Sequence, residues 1–166
     1  RWAEAAAEAG LTLIDPRGDP AQTLAAIGRC RLLLSEALHG VIVADALRIP
    51  WIALRPVAPV HRAKWRDWAA SVDLPVAFRR LPASSLPERM AASGIARSHQ
   101  GRRLLAGLRE RLDAVDPAGF LARATTGLRR AAQAAPQLSS HRALDRSQSR
   151  MLERIEALRR NPFRGP

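Results

Sequence analysis

The feature that most constrains this fold is an alternation of short apolar runs with helical patterns through the first 96 residues. Such alternation is typical of repeated strand-helix units that build a parallel sheet. We predict strands at Leu11–Ile14, Arg31–Leu34, Trp51–Leu54 and Val76–Arg79. The fold class is therefore predicted to be α/β, a Rossmann-like parallel sheet with flanking helices.

Local signals place helices between these strands. Asp19 and Pro20 supply an N-cap and a first-turn proline, while Pro50 follows a helix end. Helices are predicted over residues 20–29, 41–47 and 60–71, and the capping-box spacing of Ser85-Leu86-Pro87-Glu88 begins another.

Beyond residue 96 the strand pattern stops and amphipathic helices follow. Three helical faces are predicted from Leu104, Leu105, Leu108, Leu112 and Val115, from Phe120, Leu121, Ala124 and Leu128, and from Met151, Leu152, Ile155 and Leu158. The first 96 residues carry 12 basic and 9 acidic side chains, and the remainder carries 15 and 6. We therefore divide the chain into a Rossmann-like domain, 1–96, carrying the candidate site, and an Arg-rich helical C-terminal extension, 97–166.

Composition excludes several classes of protein. No apolar run approaches the roughly 20 residues that span a bilayer, and the N-terminal residues lack a signal-peptide pattern, so we expect a cytoplasmic chain. Cys30 is the only cysteine, which excludes an intrachain disulfide and a cysteine-based metal site. His61, His99 and His141 have no metal-ligand spacing, and we expect neither a metal nor a cofactor. Because the chain begins at Arg1 within a helical pattern, we expect it to be a fragment.

Ligands of parallel sheets bind where the loops leave the carboxyl ends of the strands. Four loops meet at this edge in the predicted fold: Asp15–Asp19, Ser35–Gly40, Arg55–Pro59 and Arg80–Ser85. The second is chemically the richest, because His39 and Glu36 lie where a strand gives way to a helix. The unpaired N–H groups of a helix start favour an anion, and Gly40 allows close approach of the backbone. We therefore predict a phosphate or carboxylate site here.

Cations near this edge could neutralise further negative charge; they are Arg17, Arg55, Arg62 and Lys64. Ser84 and Ser85 are candidate contacts from the fourth loop. Each has a plainer interpretation, since serines cap helices and a helix lysine is commonly solvated. Trp65 and Trp68 are better explained as core residues than as a surface on which a sugar stacks.

The sequence around His39 resembles that of a known protein family. The residues that carry the resemblance are Ile27 through Cys30, Arg31-Leu32-Leu33-Leu34-Ser35, Leu38-His39-Gly40, Val43-Ala44-Asp45-Ala46 and Ile49-Pro50. They are similar to the polysaccharide pyruvyl transferase family, in which a strand leads into Arg-Leu-His-Gly, a helix with small residues and a proline before the next strand. Lys64 looks like the downstream family lysine. The resemblance covers about residues 10–80 and does not include the Arg-rich tail.

The resemblance implies transfer of the enolpyruvyl unit of phosphoenolpyruvate to a sugar, giving a cyclic pyruvate ketal and phosphate. His39 is then the acid/base and Glu36 the group that holds or reprotonates it. Implied substrate contacts are Ser35, Leu38, Gly40, Arg17, Arg55, Lys64, Ser84 and Ser85. The implied partners are phosphoenolpyruvate and a lipid-linked oligosaccharide or polysaccharide, with the fold forming the second half of a GT-B-like two-domain enzyme.

One position departs from the family pattern. Ala37 stands where the family has arginine, and Glu36 precedes it. Arg55 or Arg17 is expected to supply the missing charge. The variant Ser-Glu-Ala-Leu-His-Gly is similar to a branch that decorates bacterial exopolysaccharides.

Two other functions fit parts of the sequence. A glycosyltransferase donor half would present a nucleotide-sugar to the same edge, with the residues from Ser84 to Glu88 near the ribose. A basic binding module would use the arginines, but no aromatic side chains alternate with them to stack on bases, so nucleic acid is not expected. Contact of the Arg-lined helices with the inner face of the cytoplasmic membrane is a further hypothesis.

Overall fold

The structure, a computed structural model, describes residues 1–55, 62–95 and 98–160. Three parallel strands form one sheet in the order β1-β2-β3: β1 Leu33–Ser35, β2 Trp51–Arg55 and β3 Phe78–Arg80. Leu33 lies opposite Trp51, and Ala53 lies opposite Phe78. Helices cover both faces of this sheet, which confirms the predicted Rossmann-like α/β class.

Nine helices lie within the described ranges. They are α1 Trp2–Glu8, α2 Pro20–Gly28, α3 Leu38–Ala46, α4 Arg62–Ser71, α5 Leu86–Ala92, α6 His99–Gly107, α7 Arg109–Asp113, α8 Pro117–Ala132 and α9 His141–Arg160. The predicted N-cap of α2 is confirmed, because the Asp19 carboxylate accepts a hydrogen bond from the Gln22 N–H at 2.8 Å. Residues 56–59 of the predicted third loop, and the predicted helix start at 60 and 61, lie outside the described residues.

The prediction of a strand at Leu11–Ile14 is wrong. The Leu11 N–H bonds to the Ala6 carbonyl at 2.8 Å, which ends α1, and Leu13 is 55% exposed. Leu11 packs in one hydrophobic cluster and Ile14 in another, so this run connects two clusters instead of lining one face of a sheet. A short apolar run has the same sequence pattern whether it forms a buried strand or connects two hydrophobic clusters.

Two helix boundaries also differ from the prediction. The helix expected from Val41 starts at Leu38, so His39 and Gly40 lie in its first turn. The single helix expected over residues 104–115 is divided at Leu108, whose φ and ψ of −104° and 2° leave the helical range.

The central strand β2 is buried on both faces of the sheet. Trp51 and Ala53 pack in the cluster that contains residues of α2, α3 and α4, including Ile27, Val41 and Trp65. Ile52 and Leu54 face the opposite way and pack against Ala131 of α8. Trp65 and Trp68 belong to the first cluster, Trp65 at 3% exposure, which confirms their assignment to the core.

Helix α8 covers the second face of the sheet. It also packs along α1, where Ala5 and Ala6 meet Ala124 and Leu128, and the Thr125 hydroxyl donates to the Glu8 carboxylate at 3.0 Å. The predicted domain boundary near residue 96 stays a prediction, yet α8 from the C-terminal part contributes to the same core as the strands.

The segment 137–139 lies against the amino ends of the strands, opposite to their carboxyl edge. Gln137 and Trp51 exchange backbone hydrogen bonds of 3.0 and 2.8 Å, and the Gln137 side chain bonds the backbone of Ala77. Beside it the Asp45 carboxylate, 1% exposed, accepts hydrogen bonds from Trp51 Nε1 at 2.9 Å and from the Ser139 N–H at 2.8 Å. This network fixes the end of α3 relative to β2.

Helix α9 projects from the core. Only Ala143 of this helix is buried, whereas Met151, Leu152, Ile155 and Leu158 are between 41% and 61% exposed. Among the helices described, none is both long enough and apolar enough to cross a membrane.

Candidate functional site

The candidate site lies where β1 turns into α3. Ser35 is the last residue of β1, and its hydroxyl accepts a hydrogen bond from the Ala37 N–H at 3.1 Å while donating to the Ala37 carbonyl at 3.0 Å. This turn connects the end of β1 to α3, so α3 begins at the carboxyl edge of the sheet.

The N-terminus of α3 has no capping side chain. Its N-cap is Ala37, whereas α2, α5, α6 and α8 are capped by Asp19, Ser85, Ser98 and Asp116. The N–H groups of Leu38, His39 and Gly40 have no acceptor within the helix, because the first bond is from Val41 N–H to the Ala37 carbonyl. These free donors and the helix dipole favour an anion.

Gly40 packs against the end of β1. A Cβ atom at this position would lie 3.1 Å from Ser35 Oγ and 3.8 Å from Leu33 Cδ2. The first of these distances is shorter than an ordinary van der Waals contact. The glycine therefore allows α3 to start close to the strand, a reason that differs from the approach of a ligand expected from the sequence.

His39 and Glu36 are both exposed. Within the described residues no hydrogen bond joins the two side chains, so the pairing of Glu36 with His39 stays a prediction. The imidazole is accessible beside the free N–H groups of α3. A ligand anchored at these groups would lie beside His39.

Arg17 is bound by a neighbouring carboxylate. Its Nε donates to Asp15 Oδ1 at 2.9 Å and its Nη2 to Asp15 Oδ2 at 2.6 Å. These hydrogen bonds, and one from the Arg17 N–H, lower the pKa of Asp15 to about 2. Since Asp15 offsets its charge, Arg17 is a weaker candidate for anion binding than its sequence position indicated.

The other predicted cations are spread along the edge. Arg55 ends β2 and pairs in register with Arg80 at the end of β3. Lys64 is exposed in the first turn of α4, and the side chain of Arg62 lies outside the described residues. Parallel register thus brings Ser35, Arg55 and Arg80 to one edge of the sheet.

Ser84 and Ser85 are buried and hydrogen-bonded within the protein. The Ser84 N–H and hydroxyl donate to the Glu88 carboxylate at 2.6 and 2.9 Å, and the Ser85 hydroxyl accepts from the Glu88 N–H at 3.3 Å. The predicted capping box is present, except that Glu88 returns to Ser84 instead of Ser85. This geometry favours the capping role over substrate contact.

Sequence reasoning missed a cleft between the end of β3 and α8. The cleft has a volume of about 720 Å³ and is lined by Arg79, Arg80, Pro82, Ala122, Arg123, Thr126, Gly127, Arg130, Ala131 and Ala134. The only local signal was the Arg79-Arg80 pair, because Arg123 and Arg130 come from a distant helix. In the described ranges no group of three or more His, Cys, Asp or Glu side chains could hold a metal ion.

Comparison with known proteins gives two matches. Residues 3–56, which include β1, the turn and α3, match the sequence family described as polysaccharide pyruvyl transferase. The chain is 32% identical over 182 aligned residues to the succinoglycan biosynthesis protein ExoV of Rhizobium meliloti (strain 1021), an alignment that covers 98% of this chain and 58% of that protein. The chain thus spans less than two thirds of this relative, and no solved structure gives a significant match.

Proposed function

We propose that this chain, whose residues 3–56 match the polysaccharide pyruvyl transferase family, carries the phosphoenolpyruvate site of an enzyme that forms pyruvate ketals on a bacterial exopolysaccharide repeat unit. The observation that carries this proposal is the uncapped start of α3 beside an exposed His39, within the residues that match the family. The similarity to a succinoglycan biosynthesis protein supports an exopolysaccharide as the acceptor class.

The reaction sets three requirements for the site. A proton must reach the methylene carbon of phosphoenolpyruvate, the cationic carbon that results must be stabilised, and the phosphate and carboxylate must be anchored. One sugar hydroxyl adds to this carbon and loses its proton. Phosphate then leaves with the electron pair of its C–O bond, and the second hydroxyl adds to the cation that re-forms and loses its proton, giving the cyclic ketal.

The residues of the turn are assigned to these requirements. The N–H groups of Leu38, His39 and Gly40 bind the phosphate or the carboxylate, and His39 delivers the proton. Glu36 reprotonates His39 between turnovers. The Ser35 hydroxyl positions Ala37, and so fixes the direction of these N–H groups.

Arg55 is the favoured replacement for the guanidinium that Ala37 does not provide. It stands at the carboxyl end of the central strand, in register with Arg80. In this proposal the chain supplies one Rossmann-like half of a GT-B-like enzyme. The acceptor sugar is bound by residues outside this half.

Calorimetric titration with phosphoenolpyruvate tests the donor site. We expect binding to the chain, and a loss of at least roughly tenfold in affinity for Arg55→Gln, because charge-assisted hydrogen bonds are lost. His39→Ala should weaken binding, whereas His141→Ala, an exposed histidine on α9, should not. Equal binding by the wild-type chain and both histidine variants would contradict the assignment. Binding of a nucleotide-sugar in place of phosphoenolpyruvate would favour the glycosyltransferase alternative.

Peripheral contact with the inner membrane is part of the proposal and rests on α9. At 100° per residue Met151, Ile155 and Leu158 share one stripe, Arg154 and Arg159 flank it, and Glu153 and Glu156 lie on the opposite side. Arginines beside an apolar stripe match the boundary between anionic headgroups and acyl chains.

Sedimentation with vesicles of phosphatidylglycerol and phosphatidylethanolamine tests this contact. We expect the chain to bind at low salt and Ile155→Ser to bind less. Ala157→Ser, on the polar side of α9, is the matched control. Failure of the unaltered chain to bind would contradict the membrane contact and leave the donor site unaffected.

A further inference from the structure

The cleft between β3 and α8 has an unbalanced charge. Four of its ten lining residues are arginine and none is acidic. Arg123 is paired with Asp116 at 3.0 Å and lies over the Phe120 ring, 4.5 Å from its centre. Within the described part of the chain, Arg79, Arg80 and Arg130 pair with no carboxylate. Guanidinium groups stay charged at any physiological pH, so three positive charges face one cleft without compensation.

The shape of the cleft is fixed by a close backbone contact. A Cβ atom at Gly127 would lie 2.5 Å from Pro82 Cδ, so only glycine allows α8 and the loop after β3 to approach this closely. The arginines of α8 lie on either side of this contact, at positions 123 and 130. The fold therefore fixes the shape of the cleft, because its arginines lie at the end of a strand and on a long helix.

The cleft lies at the edge where parallel sheets bind ligands, because Arg79 and Arg80 are the last residues of β3. It is separate from the turn at Ser35. Two strand spacings divide β1 from β3, which places the cleft about 10 Å away along the same edge. Two anionic groups could therefore bind side by side.

We propose that this cleft binds a diphosphate group. One phosphate commonly binds one or two guanidinium groups. The cleft has three uncompensated arginines and a fourth beside them, a number that fits two linked phosphates better than one. The volume of about 720 Å³ falls within the range of ligand sites. A nucleoside diphosphate and a lipid diphosphate that carries a glycan share this chemistry. The inference does not depend on phosphoenolpyruvate binding at the turn.

Calorimetric titration with inorganic pyrophosphate at physiological ionic strength tests the site. We expect Arg79→Gln with Arg130→Gln to weaken binding by roughly a hundredfold, about tenfold for each guanidinium removed. Arg142→Gln with Arg150→Gln, on exposed α9, removes the same charge and should change affinity less than about twofold. His39→Ala should bind pyrophosphate normally, which separates this site from the proposed donor site.

Three results would overturn the proposal. The first is an equal loss of pyrophosphate affinity in both double variants, which would indicate attraction by overall charge. The second is a loss of pyrophosphate affinity in His39→Ala. The third is binding of orthophosphate as tight as that of pyrophosphate. If the cleft double variant loses its far-UV circular dichroism, Arg80→Gln alone is measured, with a loss of roughly tenfold expected. Competition by uridine diphosphate and by farnesyl diphosphate then identifies the source, since the natural class should bind more tightly than pyrophosphate itself.

Discussion

Replacing Asp45 with alanine tests whether the buried network between α3 and the segment 137–139 holds the fold together. The carboxylate accepts hydrogen bonds from Trp51 Nε1, the Ser139 N–H and the Ser139 hydroxyl. Asp45→Ala leaves these three donors buried without an acceptor. Each unsatisfied donor costs about 1 to 3 kcal/mol, so we expect a loss of about 4 kcal/mol, a large part of a typical stability of roughly 5 to 15 kcal/mol.

Urea unfolding followed by circular dichroism measures this loss. With an m-value of roughly 2 kcal/mol per molar urea, the midpoint should fall by about 2 M. Asp45→Asn keeps the shape and two of the acceptor contacts, and should cost about 1 to 2 kcal/mol. Asp67→Ala, an exposed aspartate on α4, should stay within about 0.5 kcal/mol. A loss below about 1 kcal/mol in Asp45→Ala would refute the reasoning.

Three further predictions follow from close contacts and from one ion pair. Gly127→Ala should lower the free energy of unfolding by about 2 kcal/mol in the same assay, because its methyl group overlaps a proline, and an unchanged midpoint would contradict this. Gly40→Ala should weaken phosphoenolpyruvate binding while circular dichroism stays native, since its methyl group displaces the Ser35 hydroxyl. Arg17→Gln should raise the pKa of Asp15 from about 2 toward 3.8, measured by NMR titration. Because the folded pKa is depressed, the pair stabilises the fold above the unfolded pKa and loses this effect as pH falls toward 2.

The parts of the fold that local sequence determines were predicted well. Strands β1 and β2 are short and mainly apolar, and Asp19 with Pro20 starts a helix as predicted. Strand β3, with the sequence Phe-Arg-Arg, overlaps the predicted strand Val76–Arg79 at Phe78 and Arg79. The run at Leu11–Ile14 has the same local pattern, yet its side chains serve two separate clusters. Only the tertiary arrangement distinguishes these uses.

In the candidate site, too, local features could be predicted from the sequence and tertiary contacts could not. The turn from Ser35 to Gly40 is local, and its position at a strand end was predictable. The bond of Arg17 to Asp15 depends on the loop conformation, and the cleft combines Arg79 with Arg130 across 51 positions of sequence. Periodicity within a short window carries no information on such pairs, so the cleft could not be predicted.

The covering of the sheet by α8 constrains when this protein can fold during its synthesis. Ile52 and Leu54 of the central strand are shielded by Ala131, and Trp51 is paired with Gln137. A ribosome that has released only the residues as far as β3 presents a sheet with one bare apolar face. Stable folding must therefore wait until α8 and the segment after it have left the exit tunnel, and the nascent chain needs protection from aggregation until then.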